Sequence, residues 1–207
     1  MIDILKLFVA LAVGYFLGSL NTAMIVGRIY GKDIRSHGSK SAGLTNTLRV
    51  LGKSAAVFVL MGDILKGVFA CYIGLLLGVY FSSGDAKDCV SLLVAGAGAV
   101  IGHNWPVYFR FKGGKGALTA VAVLFMVDWI MALVCLGFFV IIVGLTRYVS
   151  LGTICATLLF AVISFVPIFG NTLYFYIFAC LMAVMVIFRH KENIHRLILG
   201  TENKLIF

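Results

Sequence analysis

Charged residues are scarce in this chain of 207 residues: they make up 12% of it, whereas hydrophobic residues make up 62%. A soluble domain has about 25% charged and roughly 45–50% apolar residues, because its surface faces water. Acidic residues are the scarcer sign, with 8 Asp and Glu against 17 Lys and Arg and a net charge of +9. The composition excludes a soluble globular protein and indicates a membrane protein with a basic face.

Patterns typical of several other protein classes are absent. The five cysteines form no CxxC, so neither a disulfide framework nor a zinc site is supported. The aromatic residues lie mostly inside apolar runs and the cations in the gaps between them, unlike a nucleic-acid-binding domain with its basic, aromatic surface. No internal repeat, low-complexity tract or linker occurs, so we expect residues 1–207 to form a single domain.

Long apolar runs recur along the chain, and about 20 apolar residues cross a bilayer as a helix. Cations rather than a cleavage site follow the first run, residues 4–26, so we interpret it as a retained helix. Asp128 interrupts the run at 117–145, where two short hinged helices fit better than one. The remaining runs are residues 54–81, 89–109, 151–166 and 173–188. The sequence thus predicts an all-α integral membrane protein with seven transmembrane helices.

The distribution of cations tests this count, since cytoplasmic loops are rich in Lys and Arg. Seven crossings from an outside N-terminus place fourteen of the 17 cations on the cytoplasmic side. If residues 117–145 formed one helix, five of the fourteen would move outside. We therefore predict that the N-terminus is outside and the C-terminus is cytoplasmic.

Two polar segments on the predicted cytoplasmic side are richer than simple connections. Residues 37–49 combine glycines, hydroxyl side chains and a terminal arginine, which are the ingredients of an anion site. Residues 112–116, Lys-Gly-Gly-Lys-Gly, precede a helix and can hold phosphate through N–H groups, dipole and lysine together, but they lack the Walker A spacing. The alternatives are a solvated turn for the first segment and a loop that only sets topology for the second.

A third polar segment and two smaller features stay open to two interpretations. On a helix, His190, Asn193 and Arg196 would line one side of residues 189–197, although a solvated histidine is the alternative. His190 and His195 are five apart and do not share a face, so zinc is not expected. The charges of Asp63 and Lys66 are costly in an apolar run and indicate either a functional site or, as we slightly favour, a helix-orienting ion pair.

The chemistry of residues 103–106, His-Asn-Trp-Pro, does not decide their function. The polar segments converge on one membrane face, whereas a transporter site is expected near the midplane on broken helices. A polar anion pocket beside a lipid-filled interior suits an enzyme that joins a water-soluble phosphate to a hydrophobic chain.

These segments also match a known family. The sequence resembles the bacterial acyl-phosphate:glycerol-3-phosphate acyltransferases, the PlsY family, over almost its full length. The matching stretches are Gly18-Ser19, Asp33-Ile34-Arg35, His37-Gly38-Ser39 through Thr45-Asn46 and Arg49, Asp63-Ile64-Leu65-Lys66-Gly67, Gly102-His103 with Pro106-Val107, Phe111-Lys112-Gly113-Gly114-Lys115-Gly116 with Thr119, Arg147-Tyr148-Val149-Ser150, and Arg189-His190 through Glu192-Asn193-Ile194 and Arg196-Leu197.

The resemblance implies transfer of a fatty acyl group from acyl phosphate to the first hydroxyl of glycerol 3-phosphate. Lysophosphatidate would form in the bacterial inner membrane without a cofactor or metal. The residues carried over as the polar, catalytic site are Ser39, Arg49, Lys115, His190 and Asn193. Those expected to contact substrate around it are Gly38, Gly43, Thr45, Asn46, Lys112, Gly113, Gly114, Gly116 and Thr119. Membrane lipids are expected partners, the peripheral enzyme that makes acyl phosphate is a candidate partner, and nucleic acid is not expected.

The chain departs from the family pattern at a few positions. The family's first motif usually reads Gly-Ser-Gly-Asn, whereas here it is Gly38-Ser39-Lys40-Ser41, and Asn21 stands where a proline is usual. Lys40 loses the backbone freedom of glycine and adds a charge beside the expected site. The alternative function is a divergent, non-catalytic or transporting relative that binds an anionic lipid precursor at the same face.

Overall fold

The computed structural model describes residues 2–80, 86–167 and 172–205. The described residues are mainly helical, with one isolated antiparallel β-bridge between Tyr80 and Cys89. The helices are α1 (Ile2–Ser19), α2 (Thr22–Ile29), α3 (Leu44–Leu51), α4 (Lys53–Leu77), α5 (Val90–Asn104), α6 (Ala117–Val127), α7 (Trp129–Thr146), α8 (Val149–Ser164), α9 (Leu173–Arg189) and α10 (Lys191–Ile198). An apolar helix thus occurs in every predicted run, although residue 81 of the 54–81 run lies outside the described residues.

Within the described residues, four helical segments are long and apolar enough to cross a membrane. They are Asp3–Ile29, Lys53–Leu77, Val90–Phe109 and Trp129–Thr146. The bent pair α9 and α10, with 58° between its helices, would be a fifth, and α6 and α8 are shorter apolar helices. The number of crossings and the sidedness of the termini therefore stay predictions from the sequence.

Two compact units divide the chain, Met1–Val127 and Asp128–Phe207. The boundary coincides with the break predicted in the run at 117–145. Asp128 has extended backbone, and its carboxylate accepts hydrogen bonds from the N–H groups of Ile130 and Met131, each at 3.0 Å. An acidic residue capping the first turn stabilises a helix start, which explains why α7 begins here. The single-domain expectation stays a prediction.

In the first unit, small residues let α1 and α5 approach each other closely. A Cβ atom on Gly14 or Gly18 of α1 would overlap the backbone of Ala95 or Ala99, respectively, on α5. Spacing of small residues by four positions is a common packing pattern in membranes, where close backbone contact replaces the hydrophobic driving force. Helix α4 packs against both α1 and α5.

The first apolar run differs from expectation, because it is broken into α1 and α2. The Asn21 side chain caps α2 by accepting from the N–H of Met24 at 3.1 Å. The break leaves the Leu20 carbonyl without a helical partner, and the Lys66 ammonium of α4 donates to it at 3.4 Å. A backbone group freed inside a membrane needs such a partner, so the buried lysine stabilises the break.

In the second unit, α8 packs against α7 and α9, and α10 lies against α8. Edge-to-face contacts join Phe160 of α8 to Phe175 and Phe178 of α9. On α7, large apolar side chains such as Val140 and Leu145 are exposed. Such exposed apolar surface is what a lipid environment solvates.

Candidate active site

Asn46 holds the loop that carries Ser39. Its Oδ1 accepts from the Ser39 N–H at 2.8 Å, and its Nδ2 donates to the carbonyls of Ile34 at 3.0 Å and His37 at 3.1 Å. Gly38 has a positive φ of 57°, and a Cβ there would overlap Asn46 Oδ1. Because the carboxamide is buried and occupied by loop backbone, it fixes the position of Ser39.

The rest of the first polar segment leads into α3. Ser39 is half-buried, whereas Arg49 is exposed in the last turn of α3. Gly43 occupies the cap position before α3, followed by a half-buried Thr45. Lys40 adopts a left-handed φ of 57°, at the position where the family usually has glycine.

The glycine loop that carries Lys115 lies on the end of α5. The Gly114 N–H donates to the His103 carbonyl at 3.1 Å, and a Cβ on Gly113 would overlap that same carbonyl. A Cβ on Gly114 would also overlap His103 Nε2. Since no side chain fits at either position, the two glycines allow the loop to pack directly against His103. Lys112, the first residue of the loop at 112–116, is exposed, and Lys115 is half-buried.

The first two polar segments contact each other within the first unit. A Cβ on Gly114 would overlap the carbonyl of Ala42, so the glycine loop touches the chain three residues after Ser39. Asn21 Nδ2 donates to the same carbonyl at 3.5 Å. The loop then turns through Gly116, with a positive φ of 75°, into α6. The structure therefore brings together the two segments that the sequence predicts as candidate anion sites.

The ion pair of Asp63 and Lys66 is present and buried, at 2.7 Å between Oδ1 and Nζ. Lys66 Nζ also lies 2.8 Å from His103 Nδ1, whose distance to Asp63 Oδ1 is 3.6 Å. The Thr119 hydroxyl, fully buried, lies 3.4 Å from the Asp63 carbonyl. The pair thus orients α4 against α5, as favoured from the sequence, and supports the histidine beneath the glycine loop.

In the second unit, His190 occupies the bend between α9 and α10. Its Nδ1 lies 2.8 Å from the Val186 carbonyl, and His190 is buried. A carbonyl only accepts hydrogen bonds, so Nδ1 carries the proton and Nε2 is an acceptor in the neutral ring. Asn193 follows on α10, also buried, with its Nδ2 donating to Glu202 at 2.6 Å.

Glu202 is the residue of this polar cluster that the sequence analysis did not name. Its carboxylate also accepts from the Arg196 Nε at 2.6 Å and from the Ser150 hydroxyl at 2.9 Å. Burial raises the pKa of Glu202, but the hydrogen bonds from Asn193, Arg196 and Ser150 together lower it by more. The pKa is therefore below its ordinary value. Asn193 and Arg196 therefore share a side, as predicted, and also share a partner. His190 was predicted on the same helix, but it lies at the bend before α10 begins. The available signal was that Glu202 is one of only 8 acidic residues in the chain.

Within the described residues, no group of three His, Cys, Asp or Glu side chains is placed to hold a metal ion. A family model described as glycerol-3-phosphate acyltransferase matches residues 8–200. Two crystal structures of PlsY, an integral membrane glycerol 3-phosphate acyltransferase, superpose on the chain. The glycerol 3-phosphate form has a TM-score of 0.87 at 34% identity and covers 97% of this chain and 96% of that one. The chain belongs to the PlsY family.

Other PlsY-family comparisons agree. The lysophosphatidic acid form of PlsY has a TM-score of 0.84 at 33% identity, covering 97% of this chain and 95% of that one. The glycerol-3-phosphate acyltransferase of Thermoanaerobacter pseudethanolicus is 41% identical over 194 residues, 93% of this chain and 92% of its own. That of Shouchella clausii is 41% identical over 206 residues, 98% of this chain and 97% of its own. This chain is thus an integral membrane acyltransferase with the PlsY fold.

Proposed function

We propose that this protein transfers a fatty acyl group from acyl phosphate to glycerol 3-phosphate, releasing phosphate and forming lysophosphatidate. The observation that carries the proposal is the contact, at Ala42 and Gly114, between the segment of Ser39 and the cationic glycine loop of Lys115. The proposed location is the cytoplasmic face of the bacterial inner membrane, in keeping with the bacterial relatives. The peripheral enzyme that makes acyl phosphate is a proposed partner.

The reaction needs positioning more than covalent catalysis. Acyl phosphate is a mixed anhydride with a good leaving group, so the glycerol hydroxyl oxygen can attack the carbonyl carbon directly. The new ester bond forms as the bond to the phosphate oxygen breaks, and a substrate phosphate takes the hydroxyl proton. We assign Arg49 and Lys115 to the phosphate charge and Ser39 to a short hydrogen bond, because preorganised donors stabilise charge that develops in the transition state.

His190 and Asn193 are assigned to glycerol 3-phosphate. The proton on His190 Nδ1 leaves Nε2 as an acceptor in the neutral ring, and an acceptor suits a substrate hydroxyl rather than a phosphate. The Asn193 Nδ2 group donates to Glu202, which leaves Oδ1 of the same carboxamide as a second acceptor. Two acceptors of this kind favour the polyol end of the substrate.

A second candidate function is a divergent relative that binds an anionic lipid precursor without turnover. The left-handed backbone at Lys40 favours it, because a bulky cation stands where the family usually has glycine. This relative would keep the phosphate-binding groups and would bind glycerol 3-phosphate without forming product.

The test is incorporation of radiolabelled glycerol 3-phosphate by the purified protein, offered acyl phosphate, acyl-CoA or acyl carrier protein separately. We expect lysophosphatidate only from acyl phosphate. Arg49→Ala and Ser39→Ala are expected to lower turnover by about 100-fold or more, the range seen when a charge-stabilising donor is removed. Lys53→Ala, which removes an exposed cation at the start of α4, is the matched control and should keep wild-type turnover.

The outcomes separate the two functions. Full turnover in Arg49→Ala would show that the site assignment is wrong. Binding of glycerol 3-phosphate without product from any donor would favour the divergent relative, and Lys40 would then be the first residue to revert to glycine.

A further inference from the structure

A single buried carboxylate connects α8, α10 and the C-terminal segment within the second unit. The Glu202 side chain is 6% exposed, and its two oxygens accept from Ser150, Asn193 and Arg196. Farther along, the Leu205 N–H donates to the Arg147 carbonyl at 2.8 Å, which ties the same segment to the start of α8. Glu202 therefore joins two stretches that match the family, Arg147 to Ser150 and Arg189 to Leu197.

The chemistry of the carboxylate decides how the Asn193 carboxamide is turned. An ionised carboxylate only accepts hydrogen bonds, so it must face the amide nitrogen and not the amide oxygen. Nδ2 accordingly lies 2.6 Å from Glu202 Oε1. The amide oxygen is thereby directed away from Glu202, and a neutral partner at this position would not impose that choice.

The Asn193 Oδ1 that results is buried and has no hydrogen-bond partner among the described residues. A buried acceptor left unpaired is unfavourable, because it has lost its hydrogen bonds to water, so a protein that keeps one generally has a ligand or water for it. Asn193 is buried next to the bend that carries His190, whose Nε2 is also an acceptor in the neutral ring. The ligand group that complements Asn193 Oδ1 is a hydrogen-bond donor, such as a hydroxyl.

We propose that Glu202 is a positioning residue, which turns the Asn193 carboxamide so that Oδ1 accepts a hydrogen bond from a hydroxyl of glycerol 3-phosphate. This inference rests on the proposed function, since it takes glycerol 3-phosphate as the acceptor substrate. Glu202 does not touch substrate. Arg196 and Ser150 hold the carboxylate in place through its remaining acceptor positions.

The experiment measures binding and turnover with Glu202→Gln in the purified full chain. An uncharged amide of the same size can present either a donor or an acceptor to Asn193, so the orientation of its carboxamide is no longer imposed. Calorimetry without an acyl donor should show glycerol 3-phosphate binding weakened about tenfold, the order expected for one lost hydrogen bond. Inorganic phosphate has no carbon-borne hydroxyl, so its affinity should be unchanged. In steady state, the KM for glycerol 3-phosphate should rise while the KM for acyl phosphate stays within about twofold.

Glu192→Gln is the matched control, because Glu192 is exposed on α10, the helix of Asn193, and the substitution is identical. It should keep all wild-type constants. Glu202→Asp keeps the charge but shortens the side chain, and it should weaken glycerol 3-phosphate binding by a smaller factor, about threefold. If Glu202→Gln does not fold, Glu202→Asp tests the proposal through the same comparison of glycerol 3-phosphate affinity with inorganic phosphate affinity.

The outcomes are separable from those of the proposed function. Unchanged glycerol 3-phosphate affinity in a folded Glu202 variant, or equal losses for glycerol 3-phosphate and inorganic phosphate, would overturn the positioning role. A wild-type protein that binds glycerol 3-phosphate but makes no lysophosphatidate would overturn the proposed reaction alone, because the calorimetric comparison would still report on Glu202. Wild-type protein that does not bind glycerol 3-phosphate at all would overturn both.

Discussion

Among single residues, Lys40 combines an exposed cation with a backbone conformation that side chains rarely adopt. Its φ of 57° lies in the left-handed region, next to the Ser39 that Asn46 holds in place. A residue with a Cβ loses about 1–2 kcal/mol there, whereas glycine has no such penalty. The loop therefore keeps the geometry that a glycine would favour, even though the sequence has lysine.

Lys40→Gly is expected to stabilise the protein. Relief of the left-handed strain exceeds the added entropy of glycine in the unfolded chain, which is about 0.4–1 kcal/mol. The apparent melting temperature in detergent should rise by about 2 °C, the shift expected for a net gain below 1 kcal/mol in a chain of this size. Lys32→Gly is the control, because it removes an exposed lysine from a position without positive φ, and it should lower the melting temperature or leave it unchanged. Equal shifts in both variants would contradict the strain argument.

Between elements, the buried charges of α4 stabilise the end of α5 on which the glycine loop packs. Asp63 and Lys66 contact His103 of α5, and His103 contacts Gly114 of the loop. Removal of one partner from a buried ion pair leaves an uncompensated charge, which costs far more than the loss of an exposed pair. Asp33 also pairs with a cation nearby in sequence, Arg35, but this pair is exposed.

Asp63→Ala should therefore damage folding rather than chemistry. We expect a loss of about 3–5 kcal/mol, seen as a low yield of inserted protein or a melting temperature lower by roughly 10 °C. Asp33→Ala is the matched control. The hydrogen bond from Arg35 lowers the pKa of Asp33 to about 2, but the exposed pair should contribute only about 0–1 kcal/mol. A normally folded Asp63→Ala protein with lost turnover would instead place Asp63 in the reaction.

The helix breaks differ in how far the sequence predicted them. The break at Asp128 was predicted, because a carboxylate inside an apolar run is conspicuous and also caps the following helix. The break at Leu20 and Asn21 was not, since a short polar residue at the end of an apolar run also fits a continuous helix. What stabilises that break is Lys66, which lies 46 residues away in the sequence.

The candidate site shows the same division. Local signals identified the two segments as candidate anion sites, because glycines, hydroxyls and cations cluster within a few residues of each other. The role of Asn46 in holding Ser39, and that of Glu202 in holding Asn193, depend on side-chain contacts that composition does not reveal. Glu202 and Ser150 are 52 positions apart, and only the folded chain makes them partners.

For the whole molecule, the asymmetric distribution of cations is the strongest indication of how the chain lies in the membrane. Fourteen of the 17 Lys and Arg residues fall on one side only if the helices before and after Asp128 are separate crossings. Both helices exist, but α6 at 11 residues is short for a bilayer that needs about 20 residues per crossing. Charge distribution and helix length thus favour different topologies after Asp128, and labelling decides between them.

We expect an odd number of crossings, with the two ends of the chain on opposite sides. The measurement is labelling with a membrane-impermeant maleimide in spheroplasts, after replacement of the five native cysteines. Lys87→Cys should be labelled in intact spheroplasts, whereas Lys32→Cys and Lys204→Cys should be labelled only after permeabilisation. Lys32 lies before the break at Asp128, so its labelling shows whether the whole chain is inverted. Labelling of Lys204→Cys in intact spheroplasts, with Lys32→Cys protected, would show that residues 117–146 cross the membrane once and that the short α6 is part of a single span.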